Sequence, residues 1–321
     1  MRIKKIGVLT SGGDAPGMNA AIRSVVRSAI NRGAEVMGIF RGYEGLINEQ
    51  LKVLNHRSVS NIINRGGTIL KTARCQAFMT RIGRKRAYEV VKKYGIDGLI
   101  LIGGDGTYRG GALFSQEWGV PCMGVPGSID NDIVGTDMTI GADTAVNTAL
   151  EAIDKIRDTA TSMERIFVVE VMGRKSGHIA MHVALAGGAE HVLVPERRFD
   201  LEAMCEDIVE GNLKGKMSWI IVVAEGAGTA QDIARHINRI TGLETRIVTL
   251  GHIQRGGNPT AHDRILATRL GAEAVRLLLQ GKKNKAVGIR NNTVRVIDLA
   301  KAVTRKKRSL DALYRLIRIM T

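Results

Sequence analysis

The amino-acid sequence predicts an α/β protein whose sheets are mainly parallel. Short apolar runs alternate with segments of helical periodicity through nearly all 321 residues, an order typical of parallel strands joined by helices. Several of the runs, including residues 99–102 and 220–223, contain no polar side chain, which indicates strands that helices cover on both faces. The length favours two domains. We therefore expect two similar three-layer α/β domains, with a change between them near Gly141.

The individual elements follow from this alternation. We predict strands at residues 5–9, 35–39, 98–102, 121–125, 165–171, 191–194, 219–224 and 246–250. We predict helices at residues 19–32, 81–94, 142–161, 177–186, 201–211, 229–241 and 262–279. Proteins of this architecture bind ligands in the loops at the carboxyl ends of the strands, so those loops are where candidate functional residues are sought.

Composition excludes several classes of protein. Hydrophobic residues make up 44% of the chain and charged residues 24%, which supports a packed core and excludes disorder. The three cysteines form no CxxC or Cys/His cluster, which argues against a zinc site and a disulfide framework. The N-terminal apolar run is too short for a signal peptide, and none reaches the roughly 18 apolar residues of a membrane span. We expect a cytoplasmic protein without a membrane partner.

The chain is strongly basic, with 47 Lys and Arg against 31 Asp and Glu and a formal charge of +16. Such a balance is typical of proteins that bind nucleic acid, and it equally suits an enzyme whose ligands carry phosphate groups. Aromatic residues make up only 4%, too few for rows of stacked bases, so a nucleic-acid partner is disfavoured. The basic run 305–308 is interpreted as a solvated helix end or turn.

Two glycine-rich loops follow predicted strands. They read TSGGDAPGMN at residues 10–19 and GGDGT at residues 103–107. Glycines let backbone N–H groups approach a phosphate, and the start of the next helix favours negative charge. Asp105, held among glycines, is suited to bind Mg²⁺. The first loop is also compatible with a tight structural turn. The sequence GGDG occurs in kinases of different substrate class, so by itself it indicates a nucleotide and not the acceptor. Neither a P-loop nor a GxGxxG fingerprint is present after the first strand, which argues against an oxidoreductase that binds dinucleotides.

A third loop, PGSIDND at residues 126–132, carries a pair of carboxylates. Asp130 and Asp132 are two positions apart, so an extended backbone would point both side chains the same way. Such a pair is able to accept the proton of an alcohol and to fix its neighbours or a hydrated metal. Asp and Asn are also common turn formers. A catalytic loop and a structural turn both remain open at this point.

Cationic side chains follow the later strands. Arg174 comes after the strand at 165–171, and the stretch 246–264 reads RIVTLGHIQRGGNPTAHDR. Arginine and histidine together suit the dianion of a sugar phosphate, which a guanidinium binds with two hydrogen bonds. A lone histidine is more often structural, but the placement of His252 beside Arg255 in a loop after a strand favours a binding site.

Taken together, these loops resemble the ATP-dependent 6-phosphofructokinase family of the bacterial type. SGGDAPGMNA, INRGGT, GGDGT, SIDND, EVMGR and GHIQRGG occur in the family's order and spacing, from about residue 3 to residue 288. The resemblance implies the phosphofructokinase fold, with an ATP-binding domain at 1–141 plus about 254–304 and a sugar-phosphate domain at 142–253 plus about 305–321. It implies transfer of the γ-phosphoryl group of Mg·ATP to the 1-hydroxyl of fructose 6-phosphate, in glycolysis.

The resemblance also implies roles for individual residues, with Asp130 as the catalytic base. The other residues implied in catalysis are Ser128, Asp132, Arg174, Gly13 and Arg74. The residues implied in binding ATP are Gly13, Arg74, Cys75, Gly104, Asp105, Gly106 and Thr107, of which Asp105 would bind Mg²⁺. The residues implied in binding the sugar phosphate are Ser128, Asp130, Asp132, Arg165, Met172, Gly173, Arg174, Glu225, Arg246, His252 and Arg255.

The resemblance further implies a homotetramer whose subunits share active sites, because the arginines matching Arg165 and Arg246 reach a neighbouring subunit in the family. An allosteric site between subunits would bind ADP or phosphoenolpyruvate. The residues that match that site are Arg23, Arg27, His56, Arg57, Arg157, Gly188, Glu190, Lys214 and Lys216. His56-Arg57 stands where bacterial relatives often have Arg-Tyr, so the identity of the effector stays open.

The phosphoryl donor is indicated by two glycines. Pyrophosphate-dependent relatives typically carry Asp where Gly106 stands and Lys where Gly127 stands, and these larger side chains would occupy space that ATP needs. The sequence therefore favours ATP. A kinase of the same fold that uses pyrophosphate or another phosphosugar is the alternative.

Overall fold

The computed structural model describes residues 3–303 and 310–320. The strands are β1 (Lys5–Ser11), β2 (Glu35–Ile39), β3 (Leu51–Leu54), β4 (Gly98–Gly103), β5 (Cys122–Pro126), β6 (Ile166–Val171), β7 (His191–Leu193), β8 (Trp219–Ala224), β9 (Thr245–Thr249), β10 (Lys285–Arg290) and β11 (Thr293–Asp298). The helices are α1 (Met18–Ile30), α2 (Gly42–Ile47), α3 (Arg81–Lys93), α4 (Asp105–Trp118), α5 (Ala142–Met163), α6 (His178–Gly187), α7 (Leu201–Leu213), α8 (Ala230–Thr241), α9 (Ala261–Leu279) and α10 (Asp311–Met320).

The chain divides into two compact units. The first comprises Met1–Thr144 and Arg255–Lys306, and the second comprises Ala145–Gln254 and Lys307–Thr321. The corresponding expectations were 1–141 with about 254–304, and 142–253 with about 305–321.

The first unit contains a seven-stranded sheet in the order β11-β10-β5-β4-β1-β2-β3. Its central strands are parallel, and the two outermost pairs, β2–β3 and β10–β11, are antiparallel. The last residues of three neighbours are in register, since Gly103 of β4 pairs with Ser11 of β1 and with Pro126 of β5. The segments that follow these three strands therefore leave the sheet side by side.

Helices cover both faces of this sheet. On one face, Leu9, Leu99 and Leu101 join a buried cluster with Tyr108 and Phe114 of α4. On the other face, α1 and α9 pack against each other and α9 contacts β4, β5 and β10. A strand buried on both faces has no polar side, which explains the uninterrupted apolar sequence of β4.

The second unit is built around a four-stranded parallel sheet in the order β7-β8-β6-β9. Trp219, Ile221 and Val223 of β8 pack with the apolar faces of α7 and α8. The opposite face is covered by α6, which also packs against α10. Polar side chains begin two of these helices, because Asp200 and Thr229 accept hydrogen bonds from the first-turn N–H groups of α7 and α8.

The eight predicted strands and seven predicted helices are confirmed, with ends that move by no more than two residues. Six elements were not predicted from the sequence, namely α2, β3, α4, β10, β11 and α10. The three glycines in α4 mask its helical periodicity, and its place is fixed by burial of Tyr108 and Phe114. The turn between β10 and β11 has two consecutive asparagines at positive φ, Asn291 and Asn292, as a two-residue hairpin requires.

Residues 305–308, interpreted above as a helix end or turn, lie outside the described residues. In the described part of the chain, no helix is both long enough and apolar enough to cross a membrane.

An ion pair between Arg84 and Glu117 joins α3 to α4. The Arg84 side chain is nearly buried and donates two hydrogen bonds of 2.7 Å to the Glu117 carboxylate. It also donates to the carbonyl oxygens of Phe78 and Met79. The hydrogen bonds from Arg84 lower the pKa of Glu117 below its ordinary value, so the charged pair stabilises the fold at neutral pH.

We predict that Glu117→Gln lowers the free energy of unfolding by about 1–3 kcal/mol at pH 7, because the nearly buried guanidinium loses a charged acceptor. The carboxyl pKa is lowered in the folded state, so this stabilisation is present above the ordinary glutamate pKa and is lost as pH falls through the folded value. Denaturant unfolding at a series of pH values measures both effects.

The matched control is Glu35→Gln, which removes the exposed ion pair with Lys5. We expect this change to cost less than about 0.5 kcal/mol. Equal losses in the two variants would contradict the assignment of a stabilising role to the Arg84–Glu117 pair.

Candidate active site

The loop between β1 and α1 presents a tight glycine turn at the edge of the first unit's sheet. Gly12 and Gly17 have φ values of +88° and +101°, a left-handed region that favours glycine. Gly13 is exposed, so its backbone N–H is accessible to a ligand. Arg255 lies against this turn, because its Nη1 donates 2.9 Å to the carbonyl oxygen of Asp14. A Cβ built on Gly13 would come within 2.7 Å of the same nitrogen, so the guanidinium lies directly against the backbone of Gly13.

The second glycine sequence forms the start of a helix rather than a loop. The interpretation of residues 103–107 as a loop was wrong, since Asp105 is the first residue of α4 and Gly104 precedes it. Thr107 donates from Oγ1 to the carbonyl oxygen of Ser11 at 2.9 Å, which fastens α4 to the end of β1. The N-terminus of α4 thus points toward the glycine turn, and helix N-termini favour anions.

The Asp105 carboxylate contacts one cation. Arg109, one helical turn later, donates from Nε to both carboxylate oxygens at 3.0 and 3.1 Å. The Nη2 of Arg109 also donates 3.2 Å to the carbonyl oxygen of Val303. Within residues 3–303 and 310–320, no three His, Cys, Asp or Glu side chains gather as a metal site. One carboxylate suits Mg²⁺ held mainly by phosphate oxygens and water, so Asp105 fits that mode of binding.

Ser128, Asp130 and Asp132 follow β5 in a compact turn. The expected extended backbone is wrong here, because Asn131 between the two aspartates has a φ of +49°. Ser128 Oγ donates to an Asp132 carboxylate oxygen at 3.1 Å and accepts from the N–H of Asp130 at 3.2 Å. Asp130 is half-buried and Asp132 is exposed. The turn therefore gives the two carboxylates different surroundings.

Asn131 holds this turn in place and was not identified from the sequence. Its side chain is buried, with 3% exposure. It donates from Nδ2 to the carbonyl oxygen of Asp137 and accepts from the N–H of Thr139, both at 3.0 Å. Thr139 in turn donates from Oγ1 to the carbonyl oxygen of Ser128 at 2.5 Å. An Asn between two aspartates was a signal, since Asn tolerates a left-handed φ and bonds to nearby backbone.

Arg74 and Cys75 lie in the segment between β3 and α3. Arg74 is exposed, and the side chain of Cys75 packs against the first unit's core cluster. The Cys75 contact anchors this segment, which leaves the Arg74 guanidinium accessible to an anion.

In the second unit, the ends of neighbouring strands are joined by hydrogen bonds. Met172 follows β6, and its N–H donates 2.8 Å to Oε1 of Gln254. The N–H of Glu225, after β8, donates to the carbonyl oxygen of Val171, and the N–H of Gly226 donates to that of Gly173. Gly173 has a φ of +142°.

His252 and Arg174 are exposed at this same carboxyl edge of the second unit's sheet. His252 belongs to the short 3-10 helix Gly251–Arg255 that follows β9. Gln254 of that helix is fully buried and was not identified from the sequence. The Gln254 side chain binds the backbone of Met172, so it holds Met172 next to the short 3-10 helix that carries His252.

Arg165 and Arg246 lie at the opposite edge of that sheet. Arg165 immediately precedes β6, and Arg246 is the second residue of β9. Both pair with the carboxylate of Glu244, Arg165 at 3.1 Å. One chain therefore does not bring these arginines to the edge that carries Met172, Glu225 and His252.

The predicted effector residues form one cluster in each unit. In the second unit, Arg157 donates from Nη2 to the carbonyl oxygens of Gly187 and Gly188, both at 2.6 Å. The buried carboxylate of Glu190 pairs with Lys216 at 3.2 Å and accepts from the N–H of Ile220. Lys214 pairs with Glu210.

In the first unit, Arg23 and Arg27 lie on α1, one turn apart and half-buried. The short 3-10 helix Arg57–Val59 contacts α1, and His56 precedes it. His56 and Arg57 are exposed. Four cationic or ionisable side chains thus lie near one helix of the first unit.

A glycine turn, a helix N-terminus and a turn with two carboxylates lie at three neighbouring strand ends, an arrangement typical of an α/β phosphotransferase. The sequence profile of the phosphofructokinase family matches residues 5–278. The chain belongs to this family.

Individual relatives agree with this assignment. The chain is 52% identical over 319 residues to the ATP-dependent 6-phosphofructokinases of Clostridium novyi and Clostridium tetani, covering 99% of this chain and 100% of each relative. The phosphofructokinase structure from Saccharomyces cerevisiae superposes with a TM-score of 0.90 at 37% identity. That match covers 99% of this chain and 48% of the yeast chain, so the chain spans about half the yeast protein's length.

We predict that Asn131→Ala is less stable than Asn131→Gly by about 1 kcal/mol, since alanine at a left-handed φ is strained and glycine is not. Both variants should be less stable than the wild type, because both lose the bonds to Asp137 and Thr139. Denaturant unfolding measures the three free energies.

Asn61 supplies the control, because it is exposed and has a similar φ of +56°. Asn61→Ala should again be less stable than Asn61→Gly, while Asn61→Gly should stay close to the wild type. If Asn131→Gly also stays close to the wild type, the side-chain bonds of Asn131 do not hold the turn.

Proposed function

We propose that this chain catalyses transfer of the γ-phosphoryl group of Mg·ATP to the 1-hydroxyl of fructose 6-phosphate, giving fructose 1,6-bisphosphate and ADP. The observation that carries the proposal is the convergence of the glycine turn, the α4 N-terminus and the Ser128–Asp132 turn on three neighbouring strand ends. The family and the curated relatives support the same reaction. It is a step of glycolysis, which we place in the cytoplasm.

The first unit would bind the phosphoryl donor. The exposed backbone of Gly13 would donate to the transferring phosphoryl group, and Arg74 would neutralise phosphate charge. The rest of the donor site would comprise Cys75, Gly104, Asp105, Gly106 and Thr107. Asp105 would hold Mg²⁺ together with phosphate oxygens, and the ion when bound neutralises charge on the phosphate groups. Arg109 would have to share or release the Asp105 carboxylate for that contact to form.

Asp130 is proposed as the general base. Its half-buried carboxylate would accept the proton of the sugar's 1-hydroxyl as the oxygen attacks phosphorus. Ser128 fixes the turn through its bonds to Asp130 and Asp132. Phosphoryl transfer depends on positioning and charge neutralisation more than on covalent chemistry, so a rigid turn is what this role needs.

The second unit would bind the sugar phosphate at the carboxyl edge of its sheet. Glu225, His252 and the backbone of Met172 and Gly173 would hold the acceptor, together with Arg255. Arg174 would stabilise the negative charge that develops on the phosphoryl oxygens.

Arg165 and Arg246 support a shared site in an oligomer, which we take to be a homotetramer. Both lie at the amino edge of the second unit's sheet, away from the other sugar-phosphate residues of the same chain. They would complete the site of a neighbouring subunit.

The donor is ATP rather than pyrophosphate in this proposal. A Cβ built on Gly106 meets no atom within 4 Å, so position 106 leaves open space for a nucleotide. A Cβ at Gly127 would lie 3.0 Å from the methyl carbon of Met18, so a side chain at position 127 would require Met18 to shift slightly. Both glycines thus keep the donor site free of competing charged side chains.

We predict that Asp130→Ser reduces kcat about 10²–10⁴-fold and keeps the fold, because it removes the base. The measurement is ADP release from Mg·ATP, with and without fructose 6-phosphate, for wild type and variant. Release by the wild type alone, and only with the sugar, would establish both the reaction and the base.

Three results would go against this proposal. A variant within threefold of the wild type would overturn the assignment of Asp130. Turnover by the wild type with pyrophosphate in place of ATP would overturn the donor. No dependence on fructose 6-phosphate would overturn the acceptor and direct attention to other phosphosugars.

We also propose regulation by ADP or phosphoenolpyruvate at the predicted effector residues. The cations near Glu190 support this idea, because the side chains of Arg157, Lys214 and Lys216 are all at least partly exposed. A bound phosphate would compete for them with the carboxylates of Glu190 and Glu210. The first-unit residues Arg23, Arg27, His56 and Arg57 would contribute from a second subunit.

We predict that ADP or phosphoenolpyruvate shifts the fructose 6-phosphate saturation curve of the wild type. The variant Arg157→Met should abolish that shift while kcat without effector stays unchanged, because Arg157 is not among the proposed catalytic residues. Steady-state assays at several effector concentrations check both statements. Identical saturation curves with and without each compound would contradict the proposed regulation.

A further inference from the structure

Asp263 is a fully buried carboxylate that the proposed reaction does not use. It lies in the first turn of α9 in the first unit. One carboxylate oxygen accepts 2.8 Å from the N–H of Gly141. The other accepts 2.9 Å from the N–H of Thr144 and 2.5 Å from the hydroxyl of Thr144. Asp263 thus binds two backbone positions that are far away in the sequence.

The backbone segment that Asp263 binds also pairs with the residues at the start of the Asp130 turn. Ile140, the residue before Gly141, forms an isolated parallel bridge with Gly127. The N–H of Ser128 donates 3.1 Å to the carbonyl oxygen of Ile140, and the N–H of Ile140 donates 2.9 Å to that of Pro126. These hydrogen bonds fix the backbone on which the turn from Ser128 to Asp132 begins.

The same residues touch the end of the glycine turn. A Cβ built on Gly17 would lie 2.7 Å from Cγ2 of Ile140 and 3.5 Å from Cβ of Asp263. A Cβ on Gly141 would lie 2.6 Å from Cβ of Ala15. Both glycines have a φ of +101°. The segment 140–141 therefore packs directly on the glycine turn, without room for a side chain at either glycine.

We propose that Asp263 is a positioning residue that sets the Asp130 turn relative to the Gly13 turn, acting through Gly141 and Thr144. This inference rests on the proposed role of Asp130. Asp263 contacts neither reactant in this scheme. It fixes the distance between the loop that would carry the base and the loop that would carry the phosphoryl group, and small displacements of reacting groups cost large factors in rate.

The choice of a carboxylate follows from the donors that meet it. Three donor groups converge on Asp263, so the side chain must offer acceptor oxygens in two directions. An amide of the same size offers one oxygen and turns an NH₂ group toward a backbone N–H. The pKa of Asp263 is raised above its ordinary value, because the effect of burial exceeds that of the hydrogen bonds from Thr144 and Gly141.

The test is Asp263→Asn, which keeps the size of the side chain and removes one acceptor. We expect kcat to fall about 10–100-fold while the KM values for ATP and fructose 6-phosphate change by less than threefold. Backbone hydrogen exchange in the peptide 126–144 should be at least tenfold faster than in the wild type. Thr144→Val should act in the same direction, and Thr144→Ser, which keeps the hydroxyl, should restore wild-type behaviour.

The matched control is Glu117→Gln, which destabilises the first unit at the α3–α4 contact. It should lose stability while kcat and the exchange of peptide 126–144 remain within twofold of the wild type. Loss of kcat in the control as large as in Asp263→Asn would overturn the proposal, because the effect would then be general destabilisation. Wild-type kcat in a folded Asp263→Asn variant would overturn it as well.

The activity of Asp130→Ser tests the proposed base independently of Asp263. Active Asp130→Ser would refute the proposed base regardless of Asp263. A second outcome is that Asp130→Ser is inactive while Asp263→Asn shows fast hydrogen exchange but an unchanged kcat. That outcome would refute only the positioning role of Asp263.

Discussion

The candidate site of the first unit depends on one stretch of backbone pairing. Gly103 is in register with Ser11 on one side and with Pro126 on the other, so β1, β4 and β5 end at one level. Parallel strands with a common end deliver their loops to one edge. The glycine turn, the N-terminus of α4 and the Asp130 turn are neighbours for this reason. A Cβ on Gly103 would lie 2.5 Å from the Ser11 carbonyl oxygen, so this pairing itself requires glycine.

Much of this arrangement was accessible from the sequence. The apolar runs predicted every strand of the second unit and the parallel strands β1, β2, β4 and β5 of the first. Most of these strands are buried on both faces and therefore carry few polar side chains, although β9 is largely exposed. The loops after them carried the residues of the candidate site, as the architecture requires. The strands β10 and β11 were not predicted because their apolar runs are short, and their clearest sequence signal is the pair of turn asparagines, Asn291 and Asn292.

The errors have a common physical origin. Residues 103–107 and the Asp130 turn were read by local rules, as a glycine loop and as an extended strand. In the fold, α4 begins at Asp105 because its aromatic residues pack into the core, and Asn131 adopts a left-handed φ because its side chain bonds to Asp137 and Thr139. Gln254 and Asp263 were overlooked for the same reason, since each acts on a backbone segment far away in the sequence. Hydrogen bonds between residues that are distant in the sequence do not change the spacing of apolar residues along it, so this spacing cannot predict them.

The placement of Arg165 and Arg246 at the amino edge of the second unit's sheet has an evolutionary consequence. If these arginines serve a neighbouring subunit, the same residues contribute to subunit contact and to substrate binding, so the two properties evolve together. A substitution that loosens the contact between copies would then appear first as weakened substrate binding, before any dissociation is visible. Selection on metabolic flux would thereby maintain the assembly, without any separate selection for its stability.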